Sequence, residues 1–569
     1  MSRERDLYEQ WREMLRGDEN YTAELESIED EDDEIVDRFY RDLEFGTGGL
    51  RGVLGLGTNR MNVFTVGRAT QGLSGYVLEK RNEPSVAIAY DSRNRSHDFA
   101  VHAACIFAAN GVKVHLYQEL MPTPVLSFAV RELKCDAGVV ITASHNPAIY
   151  NGYKAYGDDG CQFGPEQADT VMKYMEQCDT FEGVKAIPYD EALGSGMIQL
   201  IPESFVQFYL DRVWRESLQP EVFPKAGLKI VYTPLNGAGN RPVREILAKA
   251  GVTDITVVPE QEMPDGNFPT APYPNPEMRE ALTLGIALSE KENADILLAT
   301  DPDCDRAAVA VRTNGDMKIL TGNEVGILLL DYILKTRKAL GKLPEHPLTI
   351  RSIVSSKLAD KIAEEYSAET VEVLTGFKFI GSVIGELEDK GELNRFVFGW
   401  EESCGYLSGS YVRDKDAVNA SLLIVEMASA YKLEGKTLDD VLQGIYRKYG
   451  IYRNALQNVS YPGAEGMLKM KEIMDKLRQN PPTEIAGTKV VEYTDYLVSE
   501  RTKNGVKEPI AIPSSNVLEY GLGDGSSVII RPSGTEPKIK LYYSLVGESE
   551  GAVESLEKKY VEACSKLIG

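Results

Sequence analysis

Apolar residues along this chain fall into a recurring strand, loop, helix and strand rhythm. Residues 85–117, SVAIAYDSRNRSHDFAVHAACIFAANGVKVHLY, open on a short apolar run and cross a polar loop. They continue with apolar positions at helical spacing, turn at a glycine and close on a second apolar run. Residues 228–258, LKIVYTPLNGAGNRPVREILAKAGVTDITVV, repeat the plan, and residues 348–376, LTIRSIVSSKLADKIAEEYSAETVEVLTG, repeat it with a shorter loop. Each predicts a βαβ unit. Strands alternating with helices imply largely parallel sheet covered on both faces, with functional loops at the carboxyl ends of the strands.

The ends of the chain read differently. Residues 1–40 are predicted as acidic helix, with Leu7, Trp11 and Leu15 at helical spacing, before a glycine-rich turn at Gly46, Thr47, Gly48 and Gly49. Near the other end, SSVIIRP (526–532) and PKIKLYYSLVG (537–547) read as two strands around a short polar loop, followed by a helix over AVESLEKKYVEACSKLI. Residues 478–482, with a double proline, are expected to form an exposed loop. The expected class is α/β: three related α/β domains with mixed, largely parallel sheets, plus a C-terminal α+β domain, around a central cleft. The expected boundaries are 1–212, 213–325, 326–452 and 453–569.

Composition narrows the function classes. With 43% apolar and 26% charged residues, the 569-residue chain can bury several cores. Its 87 Asp and Glu against 62 Lys and Arg give a formal net charge of −25, which argues against a nucleic-acid partner. An anionic substrate would then require the cations to be gathered in one place. Seven cysteines with no CxxC pair suit free thiols in a reducing cytoplasm. A charged start and no long apolar run predict neither a signal peptide nor a membrane span.

Four loops carry chemistry. Thr142, Ala143, Ser144, His145, Asn146 and Pro147 follow the apolar run DAGVVI, so Ser144 can present a hydroxyl at a strand's carboxyl end. Adjacency alone does not make His145 its base. Asp301, Asp303 and Asp305 alternate in DPDCDR between two apolar runs and can converge on one hard cation. An EF-hand would need glycine and glutamate where Arg306 and Arg312 stand. Glu401 and Ser403, in GWEESCGY, offer a carboxylate and a hydroxyl suited to sugar hydroxyls. Arg531, Ser533, Gly534 and Thr535, in RPSGTEP, form a phosphate cradle of guanidinium, hydroxyls and open backbone. The cations Arg51, Lys154, Arg306, Lys378, Arg413 and Lys415 lie close to these loops in sequence.

TASHNP, DPDCDR and RPSGTEP in this order, from FGTGGLRG (45–52) to RPSGTEPKIK (531–540), resemble the α-D-phosphohexomutase superfamily, in its phosphoglucomutase and phosphopentomutase branch. The resemblance implies that Ser144 is the phosphoserine of the active enzyme. It implies that Asp301, Asp303 and Asp305 hold Mg²⁺, with a phosphoserine oxygen as a further ligand. Glu401 and Ser403 would grip sugar hydroxyls. Arg531, Ser533, Gly534 and Thr535 would clamp the non-reacting phosphate. Arg51, Lys154 and His145 would border the transferred group, and Arg306 and Lys415 join the substrate-binding cations. Lys378 would lie in the loop that helps choose sugar orientation. Lys154 is the first choice for general acid/base and Lys378 the second. Cys304 and the GWEESCGY loop depart from the common family pattern.

The implied activity interconverts glucose 1-phosphate and glucose 6-phosphate, with glucose 1,6-bisphosphate as intermediate and activator. Phosphopentomutase or phosphomannomutase activity is the runner-up. A metal-dependent phosphatase working through phosphoserine is a rival of another class. A non-catalytic phosphosugar-binding protein would be expected to lack Ser144 or an aspartate of the trio, and neither is missing. The expected partner is a small phosphosugar, with no nucleic acid and no membrane, and the chain is a monomer or a dimer.

Overall fold

Each of the three recurring patterns folds as a pair of parallel strands bridged by a helix. Ser85–Tyr90 runs parallel to Lys113–Tyr117 by way of helix Ser96–Ala109. Ile230–Thr233 runs parallel to Ile255–Val257 by way of Asn240–Lys249. Leu348–Ser352 runs parallel to Glu369–Val373 by way of Leu358–Glu365. These pairs and their neighbours are seen in a computed structural model that describes residues 2–46, 48–461, 466–533 and 538–569. The chain divides into two compact units. One comprises Met1–Leu320, Gly381–Leu393 and Gly405–Leu433, the other Thr321–Ile380, Asn394–Cys404 and Glu434–Gly569.

The first unit holds two mixed sheets. In one, Ala137–Ile141, Ser85–Tyr90, Lys113–Tyr117 and Ile198–Ile201 are parallel, and Tyr150–Gly157 and Gly49–Val53 are added antiparallel at one edge. In the other, Ile255–Val257, Ile230–Thr233 and Ile296–Thr300 are parallel, and Ala307–Thr313 and Asp316–Ile319 continue antiparallel. Strands Ala137–Ile141, Ile230–Thr233 and Ile296–Thr300 are buried at every residue, as continuous apolar runs in a covered sheet should be.

The acidic N-terminal segment is three helices rather than one: Arg3–Met14, Glu19–Glu26 and Asp32–Phe39. The first break falls at Gly17, whose φ of 113° is left-handed, and at Asp18, whose carboxylate caps the next helix through the N–H groups of Asn20 and Tyr21. Their shared core gathers Tyr8, Trp11, Leu25, Ile35 and Phe39, and Trp11 meets Phe39, Phe64 and Phe181 edge-on. The acidic faces stay in water, which lets a highly charged segment bury an aromatic stripe.

In the second unit, Leu348–Ser352 lies parallel to both Glu369–Val373 and Phe396–Glu401. Beyond it the C-terminal region is larger than the expected two strands and a helix. Seven strands of an eight-stranded antiparallel sheet run in the order Ile451–Ser460, Lys538–Gly547, Ser527–Pro532, Leu518–Leu522, Thr488–Asp495, Glu500–Lys503 and Val506–Pro509, and Glu484–Ile485 pairs with Thr488–Asp495 beside them. Helices Gly466–Gln479 and Glu550–Ile568 cover one face through Met470, Met474, Leu477, Val553 and Tyr560. The double-proline loop starts later than expected, because Arg478 is still helical and pairs with Asp495 at 3.2 Å. All seven cysteines are free, and among the described residues no helix is long and apolar enough to cross a membrane.

Candidate active site

The loop carrying Ser144 leaves the buried strand Ala137–Ile141 at its carboxyl end. Its first residue, Thr142, donates to Asp91 Oδ2 at 2.6 Å and accepts the Ser144 N–H at 2.8 Å. This turn drives Ser144 into left-handed backbone, φ 53°, a conformation that costs about 1–2 kcal/mol for a residue with a side chain. The neighbouring strand must pass close by, and Gly152 allows it: a Cβ there would lie 2.5 Å from Thr142 O. The Ser144 side chain is nearly covered, at 4% exposure, with its hydroxyl 3.1 Å from Asp301 Oδ2 and 3.3 Å from His145 Nδ1.

The aspartate loop closes the short connection between the antiparallel strands Ile296–Thr300 and Ala307–Thr313. Asp301 Oδ1 accepts the N–H groups of Asp305, at 3.1 Å, and Arg306, at 3.0 Å, so this carboxylate ties up its own loop. Cys304 takes the left-handed conformation there, φ 50°. Asp303 sits at the start of helix Thr123–Glu132, where Thr123 donates its N–H to Asp303 O and its hydroxyl to Oδ2, both at 2.9 Å. Such a helix end favours negative charge. Gly237 packs against the loop from behind; its Cβ would fall 2.4 Å from Pro302 Cα.

All three aspartates are buried, and one oxygen from each falls within 4.8 Å of the others. At about 4 Å and an effective dielectric near 20, two carboxylates repel by roughly 4 kcal/mol. The protein offsets part of this with cations. Lys154 Nζ lies 2.7 Å from Asp303 Oδ2 and 3.3 Å from Asp305 Oδ2, and Lys415 Nζ lies 2.8 Å from Asp305 Oδ2. Arg306 Nε stands 3.9 Å from both Asp301 and Asp305. The compensation is uneven. Burial, followed by the charges of Asp303 and Asp305, pushes the Asp301 carboxyl well above the usual range. Burial acts the same way on Asp303, but Lys154 and Lys415 overcome it and hold that carboxyl below the usual range. Asp303 Oδ1 and Asp305 Oδ1 are buried and accept no hydrogen bond. Three converging carboxylates, with two buried oxygens lacking a hydrogen bond among them, fit a divalent cation such as Mg²⁺.

The remaining first-unit candidates sort themselves by contact. Arg51, exposed, lies on the edge strand Gly49–Val53 opposite Gly152, two residues from Lys154, which places both cations on one face of the sheet. Burial, with Arg306 and Arg51 nearby, pushes the His145 imidazole well below its ordinary pKa, so the ring is held neutral and resists taking up a proton. Burial also acts on Lys154, but its two aspartates win and raise it, keeping it an ammonium. Arg413 does not join them. Its fully buried guanidinium donates to Ser410 O and Glu388 Oε2, both at 2.6 Å, and so ties chain segments together.

In the second unit, Glu401 ends the strand Phe396–Glu401 at 5% exposure and accepts the Gly376 N–H at 2.5 Å. That bond ties it to the loop carrying Lys378, whose amine is pushed down by burial. Ser403 is half-buried in the turn that follows, beside Cys404, which is left-handed at φ 59°. Arg531 lies on strand Ser527–Pro532 opposite Lys540, with its guanidinium near enough to the Tyr542 hydroxyl to favour the phenolate. Burial and Glu402 push that phenol up to about 12. The Ser533 N–H donates to Lys538 O at 2.8 Å, while Gly534 and Thr535 lie outside the described residues. Tyr542 thus stands by both the Glu402 carboxylate and the Arg531 guanidinium. Sequence reasoning missed it, as it missed Asp91, Arg93 and Thr123. The run YDSRNRS at a strand's carboxyl end was the available signal for Asp91 and Arg93.

Comparison with known proteins matches four consecutive family descriptions. Residues 42–181, 207–315 and 321–449 match the alpha/beta/alpha domains I, II and III of phosphoglucomutase/phosphomannomutase, and residues 473–563 match its C-terminal domain. Phosphoglucomutase from Staphylococcus aureus is 39% identical over 534 residues, covering 91% of this chain and 94% of the relative. That from Staphylococcus haemolyticus is 38% identical over 510 residues, covering 89% and 91%. Among solved structures, pp63/parafusin, a phosphoglucomutase from Paramecium in its open form, aligns with a TM-score of 0.69 at 19% identity over 93% of this chain and 95% of that one. A phosphoglucomutase/phosphomannomutase family protein from Burkholderia thailandensis aligns at 0.67 and 19% over 92% and 97%. At such identities the two structures bear on the fold alone.

Proposed function

Since the chain belongs to the phosphoglucomutase/phosphomannomutase family and acts as a phosphoglucomutase, an intramolecular phosphotransferase, we propose that its reaction runs through a phosphorylated Ser144 and a glucose 1,6-bisphosphate intermediate. The observation that carries this reading is the Ser144 hydroxyl, presented 3.1 Å from an aspartate of a buried trio that has cations packed around it.

Phosphoryl transfer asks little of a protein beyond position and charge balance. Asp301, Asp303 and Asp305 would hold Mg²⁺, which supplies neutralisation of phosphate charge. Lys154, Lys415, Arg306 and Arg51 supply the rest, and so answer the problem of an acidic chain with an anionic substrate. In the first transfer the Ser144 Oγ–P bond breaks. A P–O bond forms to the free 6-hydroxyl of glucose 1-phosphate, and the hydroxyl proton passes to a base. Lys154, paired with two carboxylates, suits a fixed cation. Lys378, whose burial favours the neutral amine, suits the base. In the second transfer the C1 O–P bond breaks as a P–O bond forms to Ser144 Oγ, and the proton held by the base passes to the C1 oxygen, leaving glucose 6-phosphate. Neutral His145, 3.3 Å from the Ser144 hydroxyl, is placed to orient that hydroxyl when the serine is unphosphorylated. Glu401 and Ser403 bind sugar hydroxyls, and Arg531, Ser533, Gly534 and Thr535 bind the non-reacting phosphate. Four domains, with boundaries near 212, 325 and 452, and a cytoplasmic setting for the free thiols complete the reading.

A phosphosugar panel followed by phosphorus NMR, with Mg²⁺ and glucose 1,6-bisphosphate present, tests it. Glucose 1-phosphate should be converted fastest to its 6-phosphate. Faster conversion of mannose or ribose 1-phosphate would reassign the sugar, and release of inorganic phosphate in place of isomerised sugar would reassign the reaction to a phosphatase.

A further inference from the structure

Arg93 is fully buried, and its guanidinium is spent on one short stretch of backbone. Nη2 donates to Ser144 O at 2.6 Å and to Asn146 O, and Nη1 donates to Pro147 O at 2.9 Å and Tyr150 O at 3.1 Å. Four carbonyl groups of the nucleophile's loop therefore turn inward onto a single cation. The cation is fixed in turn. Asp91 accepts the Arg93 N–H at 2.9 Å and the Ser96 hydroxyl at 2.8 Å, and its Oδ2 lies 3.4 Å from Arg93 Nε. The Phe268 ring covers the guanidinium at 5.0 Å. The same Asp91 receives the Thr142 hydroxyl, which receives the Ser144 N–H. Both backbone polar groups of Ser144 are thus tied to one Asp91–Arg93 pair, the N–H through Thr142 and the C=O through Arg93.

We propose that Arg93, anchored by Asp91, is a positioning residue for phosphoryl transfer: it holds the Ser144 loop wrapped around its guanidinium so that the serine oxygen keeps its aim. The proposal rests on the phosphoserine reading above. A planar fork with several donors can satisfy diverging carbonyls at once; a lysine ammonium, a point charge on a flexible stem, cannot. Arg93 donates to protein carbonyls and not to the substrate, so its loss should misalign the nucleophile without weakening sugar binding.

The test compares Arg93→Lys, Asp91→Asn and Ser144→Ala in the full chain, each matched to wild type by circular dichroism and melting temperature. For Arg93→Lys, kcat should fall about 100-fold, the size expected of a misplacement near 1 Å, while KM for glucose 1-phosphate stays within about threefold. Intact mass should show the phosphoenzyme still formed, with a larger share of its phosphate lost to water than passed to sugar. Asp91→Asn should move the same readouts in the same direction, less far, and serves if the lysine variant does not fold. Wild-type kcat in both folded variants, or KM rising in step with the loss of kcat, would overturn the positioning role. Normal turnover in Ser144→Ala would instead overturn the phosphoserine reading itself, so the two failures are distinguishable.

Discussion

The loops around Ser144 and Glu401 both leave the carboxyl end of a buried parallel strand, and each contains a residue with a side chain in left-handed backbone, yet the two units hold them differently. In the first unit Ser144, the aspartate trio and Arg93 are buried almost completely, with Lys154 and Lys415 paired to Asp303 and Asp305 and Arg93 donating to the serine loop. In the second unit Glu401 is held by a backbone N–H, Arg531 stands near a phenol, and Ser403, Arg531 and Ser533 remain half-exposed. A group that makes and breaks a bond must be fixed in advance, because misplacement is multiplied into the rate. A group that binds must be able to let a sugar phosphate go and take it again in the other orientation, and partial exposure leaves that freedom.

The comparison can be broken first at the nucleophile. Ser144→Ala should lower mutase turnover by at least about 10⁴-fold, measured by coupled glucose 6-phosphate formation, with the melting temperature kept. Asp303→Asn comes next. A loss of about 10³-fold in kcat is expected, with weakened binding of Mn²⁺ followed by electron paramagnetic resonance. Unchanged Mn²⁺ binding would remove the trio from the metal site.

The second unit should answer more gently. Lys378→Met should cost about 10²-fold in kcat. The sign follows from burial: it lowers the amine's pKa, so the neutral base gains population as pH rises through a value below that of ordinary lysine. Wild-type kcat should therefore rise along that limb and the variant's should not; a retained limb would remove Lys378 from the role of base. Arg531→Ala should raise KM for glucose 1-phosphate about 10- to 100-fold and leave kcat nearly unchanged. A kcat loss as large as the KM change would show the two units to be equally tied to the chemistry.

How much of this could be read from the chain depends on how far apart the interacting pieces lie. The βαβ units were legible because a buried strand and an amphipathic helix each carry their own period. Ser144 and the three aspartates were legible because a strand-end loop is contiguous, and because DPDCDR concentrates charge that a covered sheet would not tolerate without a cation. Arg93 was not, since its contacts are backbone carbonyls some fifty positions away, and carbonyls carry no sequence signal. The N-terminal helix was over-read because a cap at Asp18 outweighs a continuous acidic pattern. The C-terminal sheet was under-read because Glu500–Lys503 is only partly buried, Val506–Pro509 is exposed throughout, and neither has an apolar alternation. Arg413 looked like a ligand cation by its neighbours in sequence, but its burial commits it to Glu388.

The most direct measurement is a pulse and chase of the phosphoryl group. Enzyme charged with ³²P-labelled glucose 1,6-bisphosphate, then digested and mapped, should carry one label per chain on the peptide containing Ser144. Addition of unlabelled glucose 1-phosphate should move that label onto sugar. Label on another residue, or label that leaves only as inorganic phosphate, would contradict the account.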